Sequence, residues 1–185
     1  MGLYIIIGLM ILLSIGIIVI FNQLVGLRQM SENGWSDIEV QLKRRADLIP
    51  RLVSTVKAYA SHERKLFEDV TKMRAQTLAA GNDPIARGQA EGAMAKAGGK
   101  LLAIAEDYPE LKASQNFLDL QDELSDTEDK IEMARRFYNG TVRELNTKIQ
   151  SVPSNLIAEP FGFKTKEYFE IDDGEAIAPN VEFGA

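Results

Sequence analysis

Few residues in this chain could do covalent chemistry. The single histidine, His62, is followed by Glu63 as in a zinc-protease helix. The fifth position is Leu66, where that chemistry needs a second histidine on the same helical face. Glu128 and Asp129 lack the Glu-x-x-His pairs that di-iron bundles place on facing helices. Ser36 and Ser154 have no candidate base other than His62, and no Gly-rich phosphate loop precedes a helix. Cysteine is absent, which removes thiolate zinc sites, disulfides and cysteine nucleophiles. No catalytic, cofactor-binding or metal-ligating residue is therefore expected, and the chain reads as a non-enzyme with no cofactor.

The other feature that could carry function is the stretch SDIEVQLKRRADLIPRLV, residues 36–53, which puts Lys43-Arg44-Arg45 and Pro50 inside an amphipathic helical pattern. The chain carries 21 basic and 27 acidic residues, a net charge of -6, and has no second basic cluster. Nucleic acid is thus not expected as a partner, because neutralising phosphates takes a clustered basic surface. A headgroup patch is also disfavoured. On a straight helix from Asn22, Lys43 stands roughly 32 Å from the membrane edge, against a Debye length of about 8 Å. Protein acids fit better, and Asp119, Asp122, Asp126 and Asp129 supply a complementary row three and four residues apart. Pro50 removes one backbone bond and frees the carbonyl of Ala46, for which Arg44, Arg45 or a water is a candidate donor. Asp47 is placed to accept hydrogen bonds around the bend.

The elements that must hold these residues follow from the hydrophobic pattern. No charged side chain precedes Arg28. Leu3 to Phe21 is an uninterrupted apolar run that spans roughly 28 Å as a helix, close to a hydrocarbon core of about 30 Å. It lacks a basic n-region and a small-x-small cleavage site before Asn22, so an uncleaved anchor is expected rather than a signal peptide. Arg28 and Lys43 to Arg45 lie beyond the anchor, and none lies before it, which favours a cytoplasmic carboxyl-terminal domain.

Two apolar stripes at helical spacing come next. Trp35, Ile38, Leu42, Ile49, Leu52, Val56 and Tyr59 continue into Leu66, Val70 and Met73; Ile131, Ala134, Tyr138, Val142, Leu145 and Ile149 form the second. The two should pack together. Between them, Asp83-Pro84 signals a helix start after a turn at Gly81 and Asn82, and Gly88 and Gly92 suggest close backbone packing. A helix should start at Tyr108-Pro109 and run to about Gln150. After Pro153 the chain mixes prolines, glycines, aromatics and acids; its first half should dock, and Asp172 to Ala185 should be looser.

SDIEVQLKRRADLIPRLVSTVKAYASHE, TEDKIEMARRFYNGTVRELN and VPSNLIAEPFGFKTKEYFE, in that order, resemble the LemA family of bacterial membrane-anchored helical proteins, over essentially the whole chain from Asn22 through Phe183. The chain departs from the family pattern at Gly34, where alanine is usual, and at Arg51, where asparagine is usual. The resemblance implies an all-α protein: one amino-terminal transmembrane helix, an antiparallel four-helix up-and-down bundle with long kinked helices, and an irregular tail. A break near Ser61 to Glu63 would divide the first long helix. The implied organisation is an anchor over residues 1–27, a bundle over 28–152 and a tail over 153–185. The implied place is the bacterial inner membrane, crossed once. Some members belong to magnetosome membranes, which suggests membrane organisation.

The leading expectation is a non-enzymatic homo-oligomer that organises or shapes the membrane, in contact with lipid through residues 3–21 and open to other membrane proteins. Arg44, Arg45, Asp47 and Pro50 would set its geometry, Glu128, Arg135 and Asn139 would join the polar contacts, and Trp35, Leu42 and Tyr138 would pack the core. The alternative is a monomeric tether that binds another protein in envelope stress or quality control.

Overall fold

The uncharged run and the first stripe belong to one helix. In a computed structural model, which describes residues 1–171, helix α1 spans Gly2–Tyr59 without interruption. Its apolar start leaves the large side chains from Leu3 to Val19 exposed along the helix, the surface a bilayer would cover. The helix ends at Tyr59, and a turn at Ser61 and His62 leads into α2 (Arg64–Ala79), at the break the family resemblance implies. Gly81, at φ 64, follows α2 in the left-handed conformation that glycine takes at a helix end. Asp83 then caps α3 (Pro84–Ile104), accepting a hydrogen bond from the Ala86 amide at 2.8 Å, with Pro84 in the first turn.

The helix expected from Pro109 does not run unbroken. α4 (Pro109–Lys112) is a single turn, and α5 (Gln115–Gln150) begins afresh after Ser114. Leu111 and Phe117 explain the break. Six residues apart on one helix they would point roughly 120° away from each other, and yet both are buried in the same apolar cluster. The chain closes with α6 (Asn155–Ala158) and an extended segment. All these elements are helical, and no strand occurs among the described residues.

The chain forms two compact units. One comprises Met1–Lys43 with Thr127–Tyr168, the other Arg44–Asp126 with residues 169–171; the looser tail expected for Asp172 to Ala185 lies outside the described residues. In the first, α1 and α5 run antiparallel: Trp35 meets Tyr138 with ring centroids 5.4 Å apart, and Leu24 shares a cluster with Leu145, Ile157, Ala158 and Phe163. Gly34 sits at a close approach of this pair. A Cβ there would lie 3.1 Å from the Phe137 ring and 3.3 Å from the Tyr138 Cα, so glycine serves a close approach and the helix passes through it intact.

The second unit gathers Ile49, Leu52 and Val56 of α1, Phe67 and Val70 of α2, Met94, Ala97 and Leu101 of α3, and Phe117 and Leu124 of α5 into one core. The first apolar stripe is therefore shared: Trp35 packs on the late stripe of α5, whereas Ile49 to Val56 pack on α2, α3 and the start of α5. The small residues of α3 make this possible. Gly98 has Ile49 and Leu124 side chains against the place a Cβ would take, and at Gly88 a Cβ would overlap the Glu170 carbonyl oxygen.

Pro50 lies within α1, and the carbonyl it frees has a donor that the sequence did not suggest. Arg74, on α2, donates its Nε hydrogen to the Ala46 oxygen at 2.8 Å. Arg74→Met should leave that buried carbonyl unpaired and cost about 1–3 kcal/mol. In a Pro50→Ala background the amide of residue 50 can bond Ala46, and the same substitution should cost measurably less. Denaturant unfolding of the four detergent-solubilised proteins checks this as a double-mutant cycle.

Candidate functional site

The polar residues singled out above fall in different settings. Arg44 and Arg45 are neighbours in sequence, and the helix sends them to different surroundings. Arg44 is exposed and meets Asp126 at 3.9 Å, a surface contact worth roughly 0–1 kcal/mol. Within the acidic row, Asp119 instead accepts from Gln115 at 2.7 Å. Arg45 is 1% exposed, and its Nη2 donates to Glu91 Oε2 at 2.6 Å and to the Glu91 carbonyl at 3.3 Å. Arg87, one turn before Glu91 on α3, brings its Nε to 2.9 Å from the other carboxylate oxygen. Two guanidinium groups thus flank one buried carboxylate, and the planar arginine fork suits this geometry. Asp47 and Pro50 are exposed on the same stretch of α1.

Glu128, Arg135 and Asn139 belong to the other unit. Each is half-buried on α5, and each has a noncovalent partner. Leu42 and Tyr138 are buried, and Trp35 is half-buried against Tyr138.

Sequence reading missed the clamp on the extended segment. Asn146 uses both ends of its amide: Nδ2 donates to the Lys166 carbonyl and Oδ1 accepts from the Lys166 amide, both at 2.9 Å. The Tyr138 hydroxyl donates to the Glu167 carbonyl at 2.9 Å, and Lys166 Nζ lies 3.6 Å from Glu32. Burial, and secondarily the Glu167 carboxylate, push the Tyr138 phenol up from 10.0 to about 12. An asparagine at a helical position carries no sequence signal of this role, which depends on a chain segment 20 residues away.

Among the described residues, the reactive groups singled out in the sequence do not converge. His62 is exposed in its turn, and the buried Ser154 hydroxyl is engaged with the Lys148 and Ser151 carbonyls at 2.6 and 2.9 Å. Among the described residues no group of three or more His, Asp or Glu could hold a metal ion.

A chain whose described elements are helical, and whose first helix is long and apolar enough to cross a bilayer, is a membrane-associated helical protein. It belongs to the LemA family, whose model matches residues 34–183. The chain is 26% identical over 175 residues to magnetosome protein MamQ 2 of Paramagnetospirillum magneticum, an alignment covering 81% of this chain and 64% of the relative. It is 26% identical over 189 residues to magnetosome protein MamQ of Magnetospirillum gryphiswaldense, with coverage of 87% and 70%. Protein LemA of Metamycoplasma hominis is 25% identical over 156 residues, covering 84% and 71%. The chain thus spans just under two thirds of the length of the Paramagnetospirillum protein.

Two outcomes follow from this geometry. Arg45→Met should destabilise the protein by about 3 kcal/mol, because it removes one partner of a buried ion pair. The Arg45→Met/Glu91→Leu double substitution should recover part of that loss, since Arg87 retains some exposure; thermal unfolding of both variants checks the order.

The Tyr138 phenol is neutral in the fold up to a higher pH than in the unfolded chain. Its contribution to stability is therefore complete below pH 10 and lost as pH rises from 10 to about 12. Trp35, the sole tryptophan, reports the ionisation, because tyrosinate absorption overlaps tryptophan emission. The fluorescence difference between the native protein and Tyr138→Phe should develop near pH 12 rather than pH 10.

Proposed function

We propose that this chain is a non-enzymatic, membrane-anchored helical protein that associates with copies of itself and thereby organises or shapes a patch of inner membrane, its helical part on the cytoplasmic side. The observation that carries the proposal is a partly exposed apolar pair on the unit that bears the anchor. Met133 and Phe137, one turn apart on α5, are 58% and 47% exposed. Single exposed apolar residues are ordinary, but two on one helical face form a seam that a second helix can cover. An anchor confines copies to two dimensions, which raises their effective concentration and lets a small seam suffice. The relatives named magnetosome proteins are consistent with a role at a membrane.

Native mass in mild detergent tests the proposal. The full-length protein should run as a discrete oligomer, and Met133→Glu/Phe137→Glu should reduce it to a monomer with unchanged helix content. A native chain that is already monomeric would instead favour a tether that presents its surface to a different protein.

A further inference from the structure

The junction of α5 and α6 lies beside the end of the anchor and is unusually apolar for an exposed turn. Val152, Leu156 and Phe161 are 79%, 71% and 58% exposed. The Phe161 ring meets the Phe21 ring edge-on with centroids 5.1 Å apart, and Phe163 meets the same ring at 5.7 Å. Phe21 is the last residue of the uncharged apolar run that begins at Leu3. Since that run spans roughly 28 Å of a core about 30 Å thick, Phe21 stands at the hydrocarbon boundary, and whatever touches it stands at the same depth.

The charges nearby are arranged to match. A cavity of about 550 Å³ beside this corner is lined by Ile20 and Leu27 of α1 and by Arg143, Glu144, Lys148 and Val152. Arg28 lies over the Phe163 ring at 5.4 Å. Aromatic rings at the boundary with lysine and arginine just outside it form the pattern that membrane proteins place at the headgroup layer.

We infer that the α5–α6 corner is a second membrane contact, a foot that rests in the interfacial layer of the same bilayer the anchor crosses, with Val152, Leu156 and Phe161 in the acyl boundary and Arg143 and Lys148 at the level of the lipid phosphates. The occupant of the patch is lipid rather than protein, because the patch continues the apolar surface of the anchor through the Phe21 and Phe161 rings. The foot rests on the reading of residues 3–21 as an anchor and is independent of self-association and of which side of the membrane the domain faces.

The absence of cysteine makes a clean test possible, since any introduced cysteine is the only label site. Full-length Leu156→Cys, Phe161→Cys, Ile11→Cys and Met133→Cys proteins carry an environment-sensitive dye in phosphatidylcholine–phosphatidylglycerol vesicles. Quenching is read with a lipid spin-labelled near its headgroup, with one labelled deep in its chain, and with aqueous iodide. The dyes at 156 and 161 should be blue-shifted, quenched by the shallow lipid label and resistant to iodide. The dye at 133, roughly 26 Å along α5 from its end at Gln150 at about 1.5 Å per residue, should be resistant to both lipid labels.

Iodide-accessible dyes at 156 and 161, with the Ile11 dye quenched by the deep label, would overturn the foot and keep the anchor. Dyes shielded from iodide but untouched by lipid labels would mean that protein covers the corner, and would also overturn it. An Ile11 dye untouched by lipid would overturn anchor and foot together.

Discussion

One side-chain hydrogen bond closes the gap that Pro50 makes in the ladder of α1. A proline inside a helix leaves a carbonyl unpaired and typically costs about 3 kcal/mol. Here the Arg74 guanidinium supplies the missing donor to Ala46, and α1 continues to Tyr59. The same helix carries the apolar run long enough to cross a bilayer and contributes side chains to both units. Because α2 provides the donor, that contact also ties the chain beyond the Ser61 turn back to α1.

Arg45 and Glu91 do comparable work a turn away from Pro50, by a less forgiving route. A buried ion pair gains little over well-packed apolar residues, but it penalises any arrangement that leaves one charge alone. Arg45 reaches Glu91 from α1 and so opposes a slip of α3 against α1, while Arg87, on α3 itself, faces the second carboxylate oxygen. The small residues of α3 complement this. Gly98 admits Ile49 and Leu124, and Gly88 admits the Glu170 backbone, so helix and tail come close where the polar contacts direct them.

Features encoded by neighbouring residues are legible in the sequence. The uncharged run, the Asp83-Pro84 start, the left-handed Gly81 and the end of α5 at Gln150 follow from local rules about charge, capping and glycine. What distant residues decide is not legible there. Glu91 is 46 residues from Arg45, and Arg74 is 28 from Ala46; a helical wheel puts Arg45 on the apolar face between Leu42 and Ile49 but names no partner for it. The break after Lys112 is hidden for a related reason. It depends on Leu111 and Phe117 sharing one core, a fact about packing rather than about the residues between them. The late stripe on α5 is legible as apolar, while its division of labour with α3 is not.

The clasp on the extended segment engages main-chain atoms. Asn146 binds the amide and carbonyl of Lys166, and Tyr138 binds the carbonyl of Glu167. Such a grip is indifferent to the identity of the side chains it holds. The route of residues 166 and 167 can therefore persist while their side chains drift over evolutionary time, with proline at 166 the exception, since it alone would erase the amide that Asn146 requires.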